Sequence, residues 1–176
     1  MNSSKQKEFL ELYNPVHSQF IRFCRAISGN VEDSEDLVND TVLTVFTQLE
    51  KIVNKESFKS YLFSTASNIN RMRFRRVKFK ASFEPHELNQ IIDGQQNPEI
   101  QADFSIIYDK MMLLPQKYRE TLILFHISDL KIDEIQKIQG CSVSAVKQRL
   151  KRGREKLLDL LDTKKQVNTI LFLLTF

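Results

Sequence analysis

Cysteine, glycine, proline and histidine are all scarce in this chain, and each shortage excludes something. Only two cysteines occur among 176 residues, Cys24 and Cys141. They form no CxxC pair and no Cys/His cluster at metal-ligand spacing, so no metal site is predicted. Two lone thiols, buried or on the surface, suit a reducing cytoplasm. Four glycines and four prolines leave too few breaks for a many-turned sheet protein and favour helices. The three histidines, His17, His86 and His126, are scattered. With no nucleophile, metal ligand set or phosphate loop beside them, they predict neither an enzyme nor a cofactor. The N-terminal MNSSKQKEFLELY has no apolar core of the signal-peptide kind. The final TILFLLTF is apolar but far shorter than the roughly 20 residues that cross a bilayer. A cytoplasmic protein with no small-molecule substrate is expected.

Apolar residues and charge are both well represented. The chain is 41% hydrophobic and 27% charged, enough for a packed core and unlike a disordered tail. Its length suits one medium domain or two small ones. A net charge of +4 suits a polyanionic partner.

Two helical blocks flank a stretch of different character. Residues 79–98, FKASFEPHELNQIIDGQQNP, hold two prolines and a glycine with little periodicity, and read as a flexible linker. The expected fold is therefore all-α. It has two small helical domains, 1–78 and 99–165, joined by that linker and followed by an apolar tail, 166–176. In the first block Phe9, Leu10 and Tyr13 fall at helical spacing. Asn14-Pro15 predicts an N-cap and a new helix with Phe20, Phe23, Cys24 and Ile27 inward. Gly29 and Asn30 end that helix and cap the next. The next carries Leu37, Val38, Val42, Val45, Phe46 and Leu49 toward the core. In the second block Ile100, Phe104, Ile107 and Met111 form one stripe. Pro115 opens a helix with Tyr118, Leu122, Phe125 and His126 near its inner side. Two helices, at about 131–139 and 143–161, joined by QGCS, make a helix-turn-helix layout.

Charge then separates by sign. The last helix holds six cations within residues 147–156: Lys147, Arg149, Lys151, Arg152, Arg154 and Lys156. On a helical wheel Val146, Leu150, Leu157 and Leu161 share one side, with Gly153 between them. Ser144, Lys147, Gln148, Lys151 and Arg154 share another, and Arg149, Arg152 and Lys156 lie beside them. The apolar strip packs inward; the cationic side can lie in a DNA major groove, its first turns nearest base edges and its later cations nearest phosphates. A second basic run, RMRFRRVK, follows Phe58, Tyr61 and Phe63. Cations beside aromatics suit single-stranded nucleic acid, although Phe63 and Phe74 read as core. The polar loop from Glu50 to Ser57 is the better place to hold an unstacked base. Asp36, Asn39 and Asp40 have the opposite character, and an acidic helix face inside a DNA-binding protein suits docking onto a basic protein partner.

The segments GNVEDSEDLVNDTVLTVF, FKSYLFSTASN and LPQKYRETLILFHISDLKIDEIQKIQGCSVSAVKQRLKRGREKL, in that order, resemble the extracytoplasmic-function (ECF) sigma factors of bacterial RNA polymerase. The likeness runs over about residues 5 to 161. The resemblance implies a non-enzymatic protein that binds core RNA polymerase and directs it to promoter DNA. It implies that Asp36, Leu37, Asn39 and Asp40 meet the clamp helices of the polymerase's largest subunit. It implies that the loop with Asn54, Lys55, Ser57 and Phe58 captures a flipped minus-ten base, with Tyr61, Asn68, Arg71, Arg75 and Arg76 along the DNA. Ser144, Ala145, Lys147, Gln148, Arg149, Lys151 and Arg152 are implied to read or grip the minus-thirty-five element. The second domain would also sit on the polymerase flap, and an anti-sigma factor, in this family often membrane-bound, would occlude the docking surfaces.

Several residues depart from the family's pattern. Tyr61 stands for Trp, and Asn39 for a longer Gln. Gln136 replaces a small Ala, which opposes close approach of the two motif helices. Ala145 replaces Thr and removes a hydroxyl. Gly153 replaces Ala and is expected to weaken its helix by up to about 1 kcal/mol. Two other readings remain at this point: a stand-alone helix-turn-helix regulator, and a protein that docks on polymerase without reading promoters.

Overall fold

The computed structural model describes residues 3–77 and 106–161. All regular structure among them is helical, and the chain divides into two compact units. The expected linker at 79–98, the tail at 166–176, and Ile100 and Phe104 lie outside the described residues.

The first unit contains α1 (Ser3–Tyr13), α2 (His17–Ser28), α3 (Val31–Thr47) and α4 (Phe58–Val77). Between α1 and α2 the expected Asn14 cap does not form. The chain instead passes through a 3-10 turn, Asn14–Val16, with Pro15 in its first positions, and Val16 precedes α2 without a side-chain cap. Pro15 has no N–H to continue α1 and its ring fixes φ, so the chain tightens there and re-enters a helix at once. The next junction forms as its residues dictate. Gly29 sits in the left-handed region at φ 87° and ends α2. Asn30 Oδ1 accepts from Asp33 N at 2.7 Å, and Asn30 Nδ2 donates to Asp33 Oδ2 at 2.6 Å. Glu32 and Asp33 lie in the first turn of α3, where carboxylates oppose the helix dipole.

Aromatic rings make the core of this unit. Phe20 and Phe23 from α2 meet Phe63 from α4 with ring centroids 5.5 and 5.1 Å apart. Phe9 from α1 stands edge-on to Phe46 at 5.4 Å and to Phe58 at 5.7 Å. Such pairs add ~0.5–1.5 kcal/mol each beyond the area they bury. Phe20, Phe23, Leu37, Val45, Leu62 and Phe63 have no exposed surface. Asn70 of α4 donates from Nδ2 to the Ile27 carbonyl at 2.9 Å and so satisfies one of the open carbonyls at the end of α2. Five expected core positions differ: Leu10 is 44% exposed, and Val38, Val42, Phe46 and Phe74 are half-buried.

The second unit holds α5 (106–112), α6 (Gln116–Leu122), the greater part of α7 (Ile132–Gln139) and α8 (Val143–Asp159). Pro115 stands at the start of α6, which widens into a π-helical turn over Ile123–Ile127. Tyr118, Leu122, Ile123 and Leu124 are buried, whereas Phe125 and His126, expected inward, are half-buried. The extra residue per turn in the π segment shifts the following side chains off the inner stripe. Between α7 and α8 the sequence signals hold. The Lys131 N–H donates to the Glu134 carboxylate at 2.8 Å, and Ser142 Oγ accepts from Ala145 N at 3.2 Å. Gly140 adopts φ 58°, and the Gly140 and Cys141 N–H groups both donate to the Gln136 carbonyl. Gln136, expected to hold the motif helices apart, is half-buried, and the turn closes with it in place.

Gly153 has a role that helix propensity does not reveal. It is buried where α8 crosses α6, and a Cβ there would lie 3.2 Å from Leu122 Cδ1 and 3.4 Å from Tyr118 Cβ. The missing side chain is what lets α8 approach α6, so the expected loss against alanine is offset by contact. Urea unfolding of three variants separates these effects. Gly153→Ala is expected near neutral, its gain of ~1 kcal/mol in helix propensity cancelled by the tight contact. Gly153→Val is expected to cost about 1–3 kcal/mol through overpacking. At Gly140 there is open space around a Cβ, so Gly140→Ala is expected to cost about 1–2 kcal/mol from the left-handed backbone alone.

Candidate functional site

Each charged surface is carried by a helix whose opposite side is buried. On α8, Val146, Leu150, Gly153 and Leu157 face the core. Ser144, Lys147, Gln148, Lys151 and Arg152, at i, i+3, i+4, i+7 and i+8, are exposed, and Ala145 and Arg149 are half-buried beside them. Lys151 lies 4.0 Å from Glu155, an exposed pair that leaves its cation available. Arg154 differs from its expected outward place. It is half-buried, with its guanidinium 5.8 Å from the Phe125 ring centre and Nη2 3.3 Å from His126 Nε2. Burial lowers its pKa from the ordinary value. Arg154 therefore packs against the π turn rather than joining the cationic face.

On α3 the outward stripe is Asp36, Asn39 and Asp40, all exposed. Leu37, read as inward from helical spacing but implied by the family resemblance to meet a partner, is 0% exposed. It sits on the side that Thr41 and Val45 bury, and it anchors the helix instead of meeting a partner. The stripe continues at i+7 into Leu43, 63% exposed, which the sequence reading passed over although the spacing from Asp36 points to it. Asp40 Oδ2 accepts from Arg73 Nη2 at 2.6 Å, and Arg73 Nη1 donates to the Asp33 carbonyl at 3.1 Å. Thus one arginine of the basic run on α4 is turned onto α3. Leu43 and Met72 flank a groove of 300 Å³ that also involves Ile69 and this ion pair.

The other basic side chains of α4 face elsewhere. Tyr61, Asn68, Arg71 and Arg75 share one helical stripe; Asn68 and Arg75 are exposed, Tyr61 and Arg71 half-buried. Arg76 lies in the last turn of α4, and its side chain is outside the described residues. Phe58, expected in the base-capturing loop, is 2% exposed against Phe9 and forms the loop's root. The loop itself consists of two 3-10 turns, Leu49–Lys51 and Lys55–Ser57, with residues 52–54 between them. Asn54, Lys55 and Ser57 are exposed. Asn54 Oδ1 accepts from Glu56 N at 2.9 Å and caps the second turn. Lys55 pairs with Glu8 of α1 at 2.8 Å, and that bond raises the lysine pKa above its ordinary value. At the tip Val53 is 97% exposed, an apolar side chain in a loop read as polar.

Among the described residues no group of three His, Cys, Asp or Glu side chains gathers to hold a metal, and no helix is long and apolar enough to cross a membrane. Cys24 is buried, with its thiol pKa pushed up by burial, and Cys141 is half-buried; both thiols are free.

Comparison with known proteins agrees with this arrangement. Residues 12–79 match the model of sigma-70 region 2, and residues 104–157 match that of sigma-70 region 4. The ECF RNA polymerase sigma factor SigW of Bacillus subtilis is 27% identical over 164 residues, covering 86% of this chain and 88% of its own. The ECF RNA polymerase sigma factor EcfG of Rhodopseudomonas palustris is 27% identical over 139 residues, covering 79% of this chain and 77% of its own. Among solved structures, the sigma factor RpoE in complex with the anti-sigma factor NepR from Bartonella quintana shares the fold. It has a TM-score of 0.69 at 22% identity and covers 90% of this chain and 99% of that one. The chain belongs to the sigma-70 family of RNA polymerase sigma factors, and within it to the extracytoplasmic-function group. Both regions occur in order, which favours this family over a stand-alone helix-turn-helix regulator.

The unequal exposure of the α8 cations gives a direct test in promoter-duplex binding across a salt series. Lys151→Ala and Arg152→Ala are each expected to lower affinity and to reduce the log–log salt slope by about 0.9. Arg154→Ala is expected to leave the slope unchanged and to lower thermal stability instead.

Proposed function

We infer that this protein binds core RNA polymerase and directs it to specific promoters, as a transcription initiation factor of the ECF type. Sigma factors act by binding rather than by catalysis, and the polymerase supplies the chemistry. The observation that carries the reading is the segregation of charge: exposed acids on α3 of one unit, exposed cations on α8 of the other, each opposite a buried apolar stripe.

In this reading Asp36, Asn39, Asp40 and Leu43 form the surface that docks on the polymerase clamp. An acidic stripe ending in an exposed leucine suits a basic, amphipathic helical partner. The loop at 50–57, with Tyr61, Asn68, Arg71, Arg75 and Arg76, serves the melted minus-ten strand. Ser144, Ala145, Lys147, Gln148, Arg149, Lys151 and Arg152 serve the minus-thirty-five duplex, with early residues toward base edges and later cations toward phosphates. The second domain also meets the polymerase flap. The protein works in the cytoplasm, where polymerase and promoter are. An anti-sigma factor that covers the α3 stripe is the expected antagonist. Two proteins with this fold were solved in complexes, the sigma factor RpoE with the anti-sigma factor NepR and CnrH with the cytosolic domain of CnrY.

Transcription with purified core polymerase and a genomic promoter pool tests the function. Initiation at a defined set of promoters is expected with the protein and not without it; no initiation at any promoter would end the reading. Asp36→Lys is expected to abolish co-elution with core polymerase. It should leave the binding of excess free duplex through α8 unchanged.

A further inference from the structure

The minus-ten loop is gripped from outside at both of its turns by α1. Lys5 Nζ bonds Glu50 Oε1 at 3.0 Å, in the first 3-10 turn, and Glu8 Oε1 bonds Lys55 Nζ at 2.8 Å, in the second. Lys5 and Glu8 are three residues apart, so one face of one helix holds both. Phe9, on the same face, packs edge-on against Phe46 and Phe58, which precede and follow the loop. The Lys5 side chain is only 20% exposed and its ammonium lies 5.5 Å from the Phe46 ring centre, so this end of the clamp is well anchored. The Val53 N–H donates to the Lys51 carbonyl at 3.1 Å and Asn54 caps the second turn, which leaves Val53 at the tip, 97% exposed.

We propose that Lys5 and Glu8 are positioning residues for promoter opening: through Glu50 and Lys55 they fix the loop so that its tip meets the unstacked base. In this proposal Lys55 serves the loop's frame through its 2.8 Å bond to Glu8. Each ion pair is at least partly exposed and is worth little to global stability. Its effect falls on the loop's geometry, where a displacement of about 1 Å is costly to a precise contact. The proposal rests on the minus-ten reading of this loop.

The test is a charge swap in the full-length protein, assayed as holoenzyme for open-complex formation on a promoter the wild type opens. Glu8→Lys and Lys55→Glu, each alone, are expected to slow opening about two- to fivefold with core-polymerase binding and thermal midpoint unchanged. The double variant, which restores the pair with its signs reversed, is expected to recover opening. If the double is as defective as Lys55→Glu alone, Lys55 touches phosphate and the proposal fails. If neither single change slows opening, it fails as well. A third variant, Val53→Asp, separates the two layers. If it abolishes opening while the clamp variants do nothing, only the positioning role is lost. If it too has no effect, the minus-ten reading of the loop falls and takes the positioning role with it.

Discussion

Every exposed charge that matters in this protein is fixed by the burial of an apolar stripe on the other side of the same helix. Leu37, Thr41 and Val45 hold α3; Val146, Leu150, Gly153 and Leu157 hold α8. Burying one leucine contributes ~1.5–3 kcal/mol. Turning α8 by one residue would expose several such groups and press lysines and arginines inward, where an unpaired charge costs several kcal/mol. The rotation of each helix is therefore not adjustable, and neither is the face it offers.

Charge counted along the chain is not the same as charge presented. Two cations of the basic segments and one of the loop are committed within their own unit: Arg73 to Asp40 and the Asp33 carbonyl, Arg154 to the Phe125 and His126 rings, and Lys55 to Glu8. What remains outward is narrower and better ordered. A stripe through Asn68, Arg71 and Arg75 runs along α4, and a patch around Lys147, Gln148, Lys151 and Arg152 covers α8. Internal pairing thins the basic run and gives the loop its frame.

The helices, their caps and the helix-turn-helix were legible because they depend on local chemistry. Asn30, Gly29, Gly140 and Ser142 each do what their side chain, or its absence, dictates. Much of what escaped depends on partners distant in sequence. Phe58 looked like a stacking platform until Phe9, 49 positions earlier, covered it. Leu37 carried two expectations, inward by helical spacing and outward in the docking group that the family resemblance implies, and the spacing was right. Gly153 looked like a weak point of α8 until Leu122 and Tyr118 were seen against it. Asn14 looked like a cap beside Pro15, yet the proline tightens the chain into a 3-10 turn before any cap is needed. Leu43 alone was within reach, one step along a spacing already in use.

The central claim is that two opposed faces act on two different partners within one complex. Site-specific photocrosslinking in a single promoter complex measures this most directly, with a photoreactive residue at Asn39 in one sample and at Gln148 in another. Asn39 is expected to crosslink to polymerase and Gln148 to promoter DNA. A crosslink from Gln148 to protein alone, or from Asn39 to DNA, would contradict it.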